Sequence, residues 1–243
     1  MLNGRSREQA GKLLRHARPT AVNLARAVDR VCAAADPLAE ARALEAEEEA
    51  ASDAIAAHGA GLLAEAGARR VLTHCNTGVL AAPGRGTALA VLAELRARGE
   101  LEHVLVTETR PLLQGARLTT WELERLGIPY QLIVDGAAAG LIGAGEVDAV
   151  IVGCDRVAAN GDVANKVGTY GLALAARAAG IPFVVAGPTS TIDSSCATGA
   201  GIVVEERPAA EVRAGVPARN PAFDVTPAAL VSALVTEEGV QRR

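Results

Sequence analysis

The residues able to do chemistry in this chain stand just after short apolar runs. Reading beyond each run gives His74-Cys75-Asn76, Glu108-Thr109-Arg110, Asp135, Cys154-Asp155-Arg156 and Pro188-Thr189-Ser190-Thr191. Asp155 follows the apolar stretch 147–153. A carboxylate at the buried end of such a stretch has its charged form disfavoured, so Asp155 is expected to hold a proton near neutrality and to act as a general acid. The competing reading is a fixed salt bridge with Arg156 or Arg110. Cys75 lies between His74 and Asn76, where a thiol moved from its usual pKa of about 8.5 could act as acid or base. As a buried lone thiol it would instead be an inert small apolar group. Asn165-Lys166 follow the polar loop ANGD at the expected start of a helix, where a cation opposes the helix dipole unless an anion sits beside it. Lys166 is also conspicuous by composition, since Lys12 is the only other lysine among 24 basic residues.

The segment VLTHCNTGVLAAPGRGTALAVL adds a Gly-rich turn between a strand and a helix. Gly84 and Gly86 allow a tight turn and Thr87 is placed to cap the helix that follows. A helix N-terminus behind such a loop is a natural anion site. GRGT is neither a Walker A loop, lacking GKS or GKT, nor a GxGxxG fingerprint. No HxxxH, HExxH or paired-carboxylate spacing occurs, and His74 and Cys75, adjacent in a strand, would face opposite sides, so no metal site is expected. The absence of GxSxG argues against a serine hydrolase of the elbow type.

The elements that must position these groups follow from the apolar pattern. Residues 1–68 read as a helical N-terminal region: a helix over 8–17, a second over 20–35 with Pro19 in its first turn, and an Ala/Glu-rich stretch over 38–66 opened by Pro37. Its EAEEEA run reads as a solvated face, and its first turn signal is His58-Gly59. From residue 69 to 243 the texture becomes α/β. Strands are expected at 70–73, 103–107, 130–134, 147–153, 182–186 and 202–205, with helices at 86–97, 117–126, 137–142 and 163–179, and a loop with a closing helix over 220–240. Unalternating apolar strands separated by helices imply a Rossmann-like, mostly parallel sheet flanked by helices. In such a sheet, ligands collect beyond the carboxyl ends of the strands, where the polar groups above fall.

Composition closes off other classes. The 243 residues are 50% hydrophobic, enough for a large core, and their net charge of −4 argues against electrostatic nucleic-acid binding. Aromatic residues make up 2% of the chain, too few for a base-stacking platform. No apolar run is long enough to span a membrane, and the first 20 residues contain no signal-peptide core. Four scattered cysteines without a CxxC pair fit a reduced, cytoplasmic setting.

The runs ARPTAVNL, THCNTG, GRGTAL, TETRPLLQGARLTTWEL, GCDRVAANGDVANKVGTYGLA, IPFVVAGPTSTID and NPAFDVTP, in this order over about residues 17–240, resemble the methylthioribose-1-phosphate isomerase family. Its wider circle includes ribose-1,5-bisphosphate isomerases and regulatory subunits of the exchange factor for translation initiation factor 2. The resemblance implies a cofactor-free aldose–ketose isomerase of methionine salvage, acting on a sugar 1-phosphate as a homodimer. It assigns Asp155 as proton donor and Cys75 as the second catalytic residue, with Arg18, Gln114, Asn165 and Lys166 contacting substrate. Ribose 1,5-bisphosphate or 5-deoxyribose 1-phosphate as substrate, and a non-catalytic regulatory role, are the alternatives it carries. Retention of both Cys75 and Asp155 weighs against the last. Family enzymes also carry a segment ahead of ARPT with an RGAP-type substrate loop; no RGAP occurs in this sequence. Losing one charge-assisted phosphate contact is expected to cost about 1.5–3 kcal/mol of binding.

Overall fold

The computed structural model describes residues 6–18 and 20–243. Three helices come first: α1 (Arg7–Arg15), α2 (Val22–Ala33) and α3 (Pro37–Glu65). Strand β1 (Arg70–Thr73), α4 (Ala88–Ala97), β2 (His103–Thr107), a π-helical turn (Gly115–Thr119) running into α5 (Thr120–Arg125), β3 (Tyr130–Ile133), α6 (Ala138–Gly143) and β4 (Ala149–Val152) follow. The remainder comprises β5 (Arg156–Ala158), β6 (Val163–Lys166), α7 (Thr169–Ala179), β7 (Phe183–Ala186), β8 (Ile192–Asp193), α8 (Ala209–Val212), β9 (Phe223–Thr226), β10 (Ala233–Thr236) and β11 (Gly239–Arg242).

The main sheet runs β11-β10-β7-β4-β1-β2-β3. Its strands are parallel except β11, which folds back on β10. This is the expected Rossmann-like sheet, and its order reverses direction between β1 and β4. The inner strands β1, β2, β4, β7 and β10 are buried on both faces, which explains their unalternating apolar sequences, while the edge strands β3 and β11 are partly exposed. Val71, Val104, Val106, Ile151 and Val184 join the core shared with α3 and α4. Leu72, Leu105, Val150, Val152 and Phe183 join the core shared with α6 and α7.

Local signals set the early helices. Ser6 and Gln9 form a reciprocal capping box on α1. Asp36 accepts hydrogen bonds from the Leu38 and Ala39 amides, with Pro37 in the first turn of α3. Pro19 lies outside the described residues. The EAEEEA run is mostly exposed, but Glu48 is half-buried and accepts a 3.0 Å hydrogen bond from Ser190 Oγ. His58-Gly59 does not end α3. A Cβ at Gly59 would come 2.4 Å from Val91 Cγ2 of α4, so the glycine is there to bring two helices together.

The second half of the chain departs from the sequence reading in three places. The segment 202–205 makes no strand: it is irregular, and nearby pairing is limited to a single bridge between Glu206 and Pro221. The expected closing helix over 220–240 is instead β9, a 3-10 turn at Ala228–Leu230, β10 and β11. Its helix-favouring Ala and Leu residues are overridden because Ala233–Thr236 fits beside β7 as a wholly buried parallel strand. The helix expected over 163–179 begins only at Thr169. Residues Val163–Lys166 are taken into a small second sheet, β8-β5-β6-β9, by pairing with β5 and with β9, far away in sequence. Among the described residues, no helix is long and apolar enough to cross a membrane.

The α3–α4 contact is testable with two glycines of one helix. Gly59→Ala should destabilise the protein by roughly 1–3 kcal/mol through overpacking against Val91. At Gly61 an added Cβ meets nothing within 4 Å. Gly61→Ala should therefore stabilise by about 0.5–1 kcal/mol through helix propensity alone. Urea unfolding of both variants decides it; equal effects would refute the packing argument.

Candidate active site

β1 and β4 lie side by side, with Thr73 opposite Ile151. From β1 the chain crosses to α4 on one face of the sheet, and from β4 it returns through α7 on the other. Ligands in such a sheet collect in the crevice where these connections part. Cys75 and Asp155 follow the two strand ends there, near enough for the charge of Asp155 to act on the thiol.

Asp155 is largely buried, with 18% of its side chain exposed. Burial raises its pKa, opposed by the positive charges of Arg18 and Lys166 and reinforced by Glu205. The expected raised pKa is thus present, while the salt-bridge partner differs from those anticipated. Arg18 Nη2 donates to Asp155 Oδ1 at 2.9 Å. Arg110 instead bonds the Val212 carbonyl, and Arg156 bonds the Thr20 carbonyl and lies near Asp193. Both site cations rest against Phe223 of β9: Lys166 Nζ is 4.8 Å and the Arg18 guanidinium 5.8 Å from the ring centre.

Lys166 is at the end of a strand, so the unfavourable placement at a helix start does not arise. The N-terminus of α7 is served by Asp224, whose carboxylate accepts from the Gly168 amide at 2.7 Å and the Tyr170 amide at 3.1 Å. Burial nonetheless pushes Asp224 up to about 6. Successive strand residues point to opposite faces. Asn165 accordingly turns to α7 and donates to Thr169 Oγ1 at 3.0 Å, whereas Lys166 lies over Phe223.

Cys75 adopts a left-handed backbone conformation, with φ of +65°. Two threonines hold it there: its amide donates to Thr109 Oγ1 at 2.9 Å and its carbonyl accepts from Thr119 Oγ1 at 2.5 Å. Burial raises the thiol pKa to about 11, against the Asn76 amide and the charge of Lys166, which pull it down. At neutral pH this is a thiol, able to donate a hydrogen bond and poorly suited to be a base.

The sequence reading missed the groups that support this pair. His74 is buried between Thr107 Oγ1, 2.6 Å from Nδ1, and the Val167 carbonyl, 2.9 Å from Nε2. A carbonyl only accepts, so Nε2 carries the hydrogen and Nδ1 receives the threonine proton. Burial lowers the histidine pKa, consistent with a neutral ring. His74 thereby ties the end of β1 to the segment that carries Lys166. Glu122 of α5 is also buried; it accepts from Asn76 Nδ2 at 2.9 Å, the Val79 amide at 2.9 Å and the Leu80 amide at 3.3 Å. Nothing in the local sequence of α5 distinguishes Glu122 from its exposed neighbour Glu124; only the docked loop does. Thr87 starts α4 without a side-chain cap. Its amide bonds the Thr77 carbonyl at 2.7 Å across Gly86, whose φ of +85° permits the approach.

Gln114 stands at the mouth of the π-helical turn on the adjoining β2 loop. Its Oε1 is buried without a partner, as are Asn76 Oδ1 and Thr77 Oγ1 at the same rim. Buried polar atoms left without a partner at a strand-end rim suit a ligand that brings hydroxyl groups to them. Among the described residues no group of three His, Cys, Asp or Glu side chains is arranged to hold a metal ion.

Two outcomes test this geometry. Replacing His74 by Phe strands the Val167 carbonyl and the Thr107 hydroxyl, and should cost roughly 1–3 kcal/mol in urea unfolding; an unchanged midpoint refutes the bridging role. Alkylation of Cys75 by iodoacetamide at pH 7, resolved by mass spectrometry, should run on the order of a hundredfold slower than for free cysteine. A rate equal to that of free cysteine would mean that the thiol is not shielded.

The initiation factor 2 subunit family model matches residues 5–242. A methylthioribose-1-phosphate isomerase of Anaeromyxobacter sp. (strain K) is 56% identical, over 96% of this chain and 72% of its own length. The solved 5-methylthioribose 1-phosphate isomerase of Pyrococcus horikoshii OT3 superposes with a TM-score of 0.88 at 38% identity, over 99% of this chain and 74% of that one. Translation initiation factor eIF-2B subunit delta from A. fulgidus gives 0.82 at 38% identity, over 97% and 74%. The chain therefore belongs, with these proteins, to the initiation factor 2 subunit family.

Proposed function

We propose that the chain is an aldose–ketose isomerase of methionine salvage, converting 5-methylthioribose 1-phosphate to 5-methylthioribulose 1-phosphate. The observation that carries this reading is a buried carboxyl, Asp155, set between the cations Arg18 and Lys166 with the thiol of Cys75 across the crevice. The high identity to a named isomerase supports it. Phosphate on the anomeric oxygen prevents ordinary ring opening, so an acid must protonate the ring oxygen. Asp155 is the group whose burial favours holding that proton. Arg18 and Lys166 take the phosphate, while Gln114 binds a sugar hydroxyl through its unpartnered Oε1; Asn165, whose amide nitrogen is engaged by Thr169, has its Oδ1 to offer a sugar hydroxyl. Hydrogen then moves from C2 to C1. A Cys75 thiol with its pKa near 11 is a weak base, which favours a hydride shift in a dry pocket over an enediolate formed by a thiolate.

The likeness to an eIF-2B subunit supports a second reading, a non-catalytic partner-binding role on the same fold. The acid and thiol at the switch point have no evident use in such a role. The reading places the enzyme in the cytoplasm, in keeping with four free cysteines, and as a homodimer. The exposed Trp121, Leu126, Leu132 and Val134 beside the β3 edge offer an apolar surface for pairing.

Incubation with 5-methylthioribose 1-phosphate, followed by NMR, should show the ketose product. Asp155→Asn should lower kcat by about 10²–10⁴ with the fold intact, Cys75→Ser should lower kcat more than it raises KM, and Lys166→Ala should chiefly raise KM. Full turnover by Asp155→Asn would remove the acid from the mechanism. Turnover restricted to ribose 1,5-bisphosphate or 5-deoxyribose 1-phosphate would change the substrate and keep the chemistry.

A further inference from the structure

The proposed acid and one of the proposed phosphate ligands are already engaged with each other. Arg18 Nη2 lies 2.9 Å from Asp155 Oδ1. An acid must carry a proton to give one, yet a guanidinium at that distance stabilises the ionised carboxylate. A phosphate dianion competes for the same guanidinium. We propose that Arg18 is a charge switch: the anionic group of the substrate draws it off Asp155, the carboxylate takes up one proton from solvent, and the acid for ring opening is made only in the occupied site. The proposal rests on reading the site as one that binds a sugar phosphate.

The two partners are placed for such an exchange. The Arg18 side chain is 54% exposed and that of Asp155 18%, so the arginine can swing at the rim while the carboxyl stays in the wall. Arg18 lies in the short connection between α1 and α2, outside any helix or strand. Its guanidinium shares the Phe223 ring with Lys166, so an anion between the two cations is held by both without either leaving that platform. The groups facing Asp155 are Arg18 from this connection, Lys166 from β6, Glu205 from the segment before α8 and the Cys75 thiol after β1. The two cations favour the carboxylate; burial and Glu205 favour the acid. A dianion that neutralises the cations leaves only the second pair of influences, so the proton affinity of Asp155 rises on binding. The balance is one proton gained from solvent per dianion bound, with no other bond made or broken.

Sulfate is a suitable probe because it stays a dianion near neutrality, so any proton taken up belongs to the protein. Calorimetric titration with sulfate at pH 7, in two buffers of different ionisation enthalpy, should show uptake approaching one proton per site. Asp155→Asn should bind sulfate about tenfold more tightly, since Arg18 is no longer held, and should show no uptake. Equal uptake in both proteins, or no binding of sulfate by the wild type, would overturn the proposal. A second readout needs no variant: the apparent pKa of the essential acid should be at least about one unit higher in kcat than in kcat/KM, and an equal or lower value would overturn it. If sulfate-linked proton uptake is seen while none of the three sugar phosphates turns over, the isomerase reading fails and the switch stands.

Discussion

The site depends on the pairing of β1 with β4. These neighbours are the point at which the sheet is built outward in both directions, β2 and β3 on one side and β7 and β10 on the other. Because the crossovers leave on opposite faces, the two strand ends cannot be covered by the same helix, and polar groups there face a crevice rather than a packed core. This pairing brings Cys75 and Asp155 within electrostatic reach of each other. A chain with the same residues in another strand order would separate them.

The crevice is only half of the arrangement. The small sheet of β8, β5, β6 and β9 carries the cation platform: pairing of Lys166 with Phe223 in register sets the ammonium group over the ring, and the ring also supports Arg18. Asp155 is thus exposed to two opposing influences of comparable kind. Desolvation by the wall pushes it toward the neutral acid, and the flanking cations pull it toward the carboxylate. A largely buried group under such opposing influences responds to any change in the charge around it, because the surrounding wall screens that change far less than water would.

Rigidity is supplied from below. A chain of hydrogen bonds runs from the Cys75 amide to Thr109 Oγ1 and on to the Thr107 carbonyl. The Thr107 hydroxyl joins His74, which reaches the Val167 carbonyl. Glu122 fixes the loop beyond Cys75 from the other side. These buried polar groups are satisfied by one another, so they specify the positions of thiol and lysine without drawing on the open acceptors at the rim.

Much of this protein was readable from the chain itself. Unalternating apolar runs at 70–73, 103–107 and 182–186 announced a buried parallel sheet, and from that the rim bearing Cys75 and Asp155 followed, because strand ends in such sheets point one way. The sequence motifs named the family. What local pattern could not supply is anything decided by a distant partner. Val163–Lys166 passes for the start of a helix until β9 pairs with it, and Ala233–Thr236 passes for part of one until β7 does. Asp155 offered Arg156 and Arg110 as partners by proximity in sequence and by rim position, but Arg18 reached it from the far end of the chain. Residue type and periodicity determined which groups could be acids, cations or core, since those properties belong to each side chain and its near neighbours. Tertiary structure alone decided which charge meets which, because electrostatic energy depends on distance in space, and folding sets that distance independently of separation along the chain.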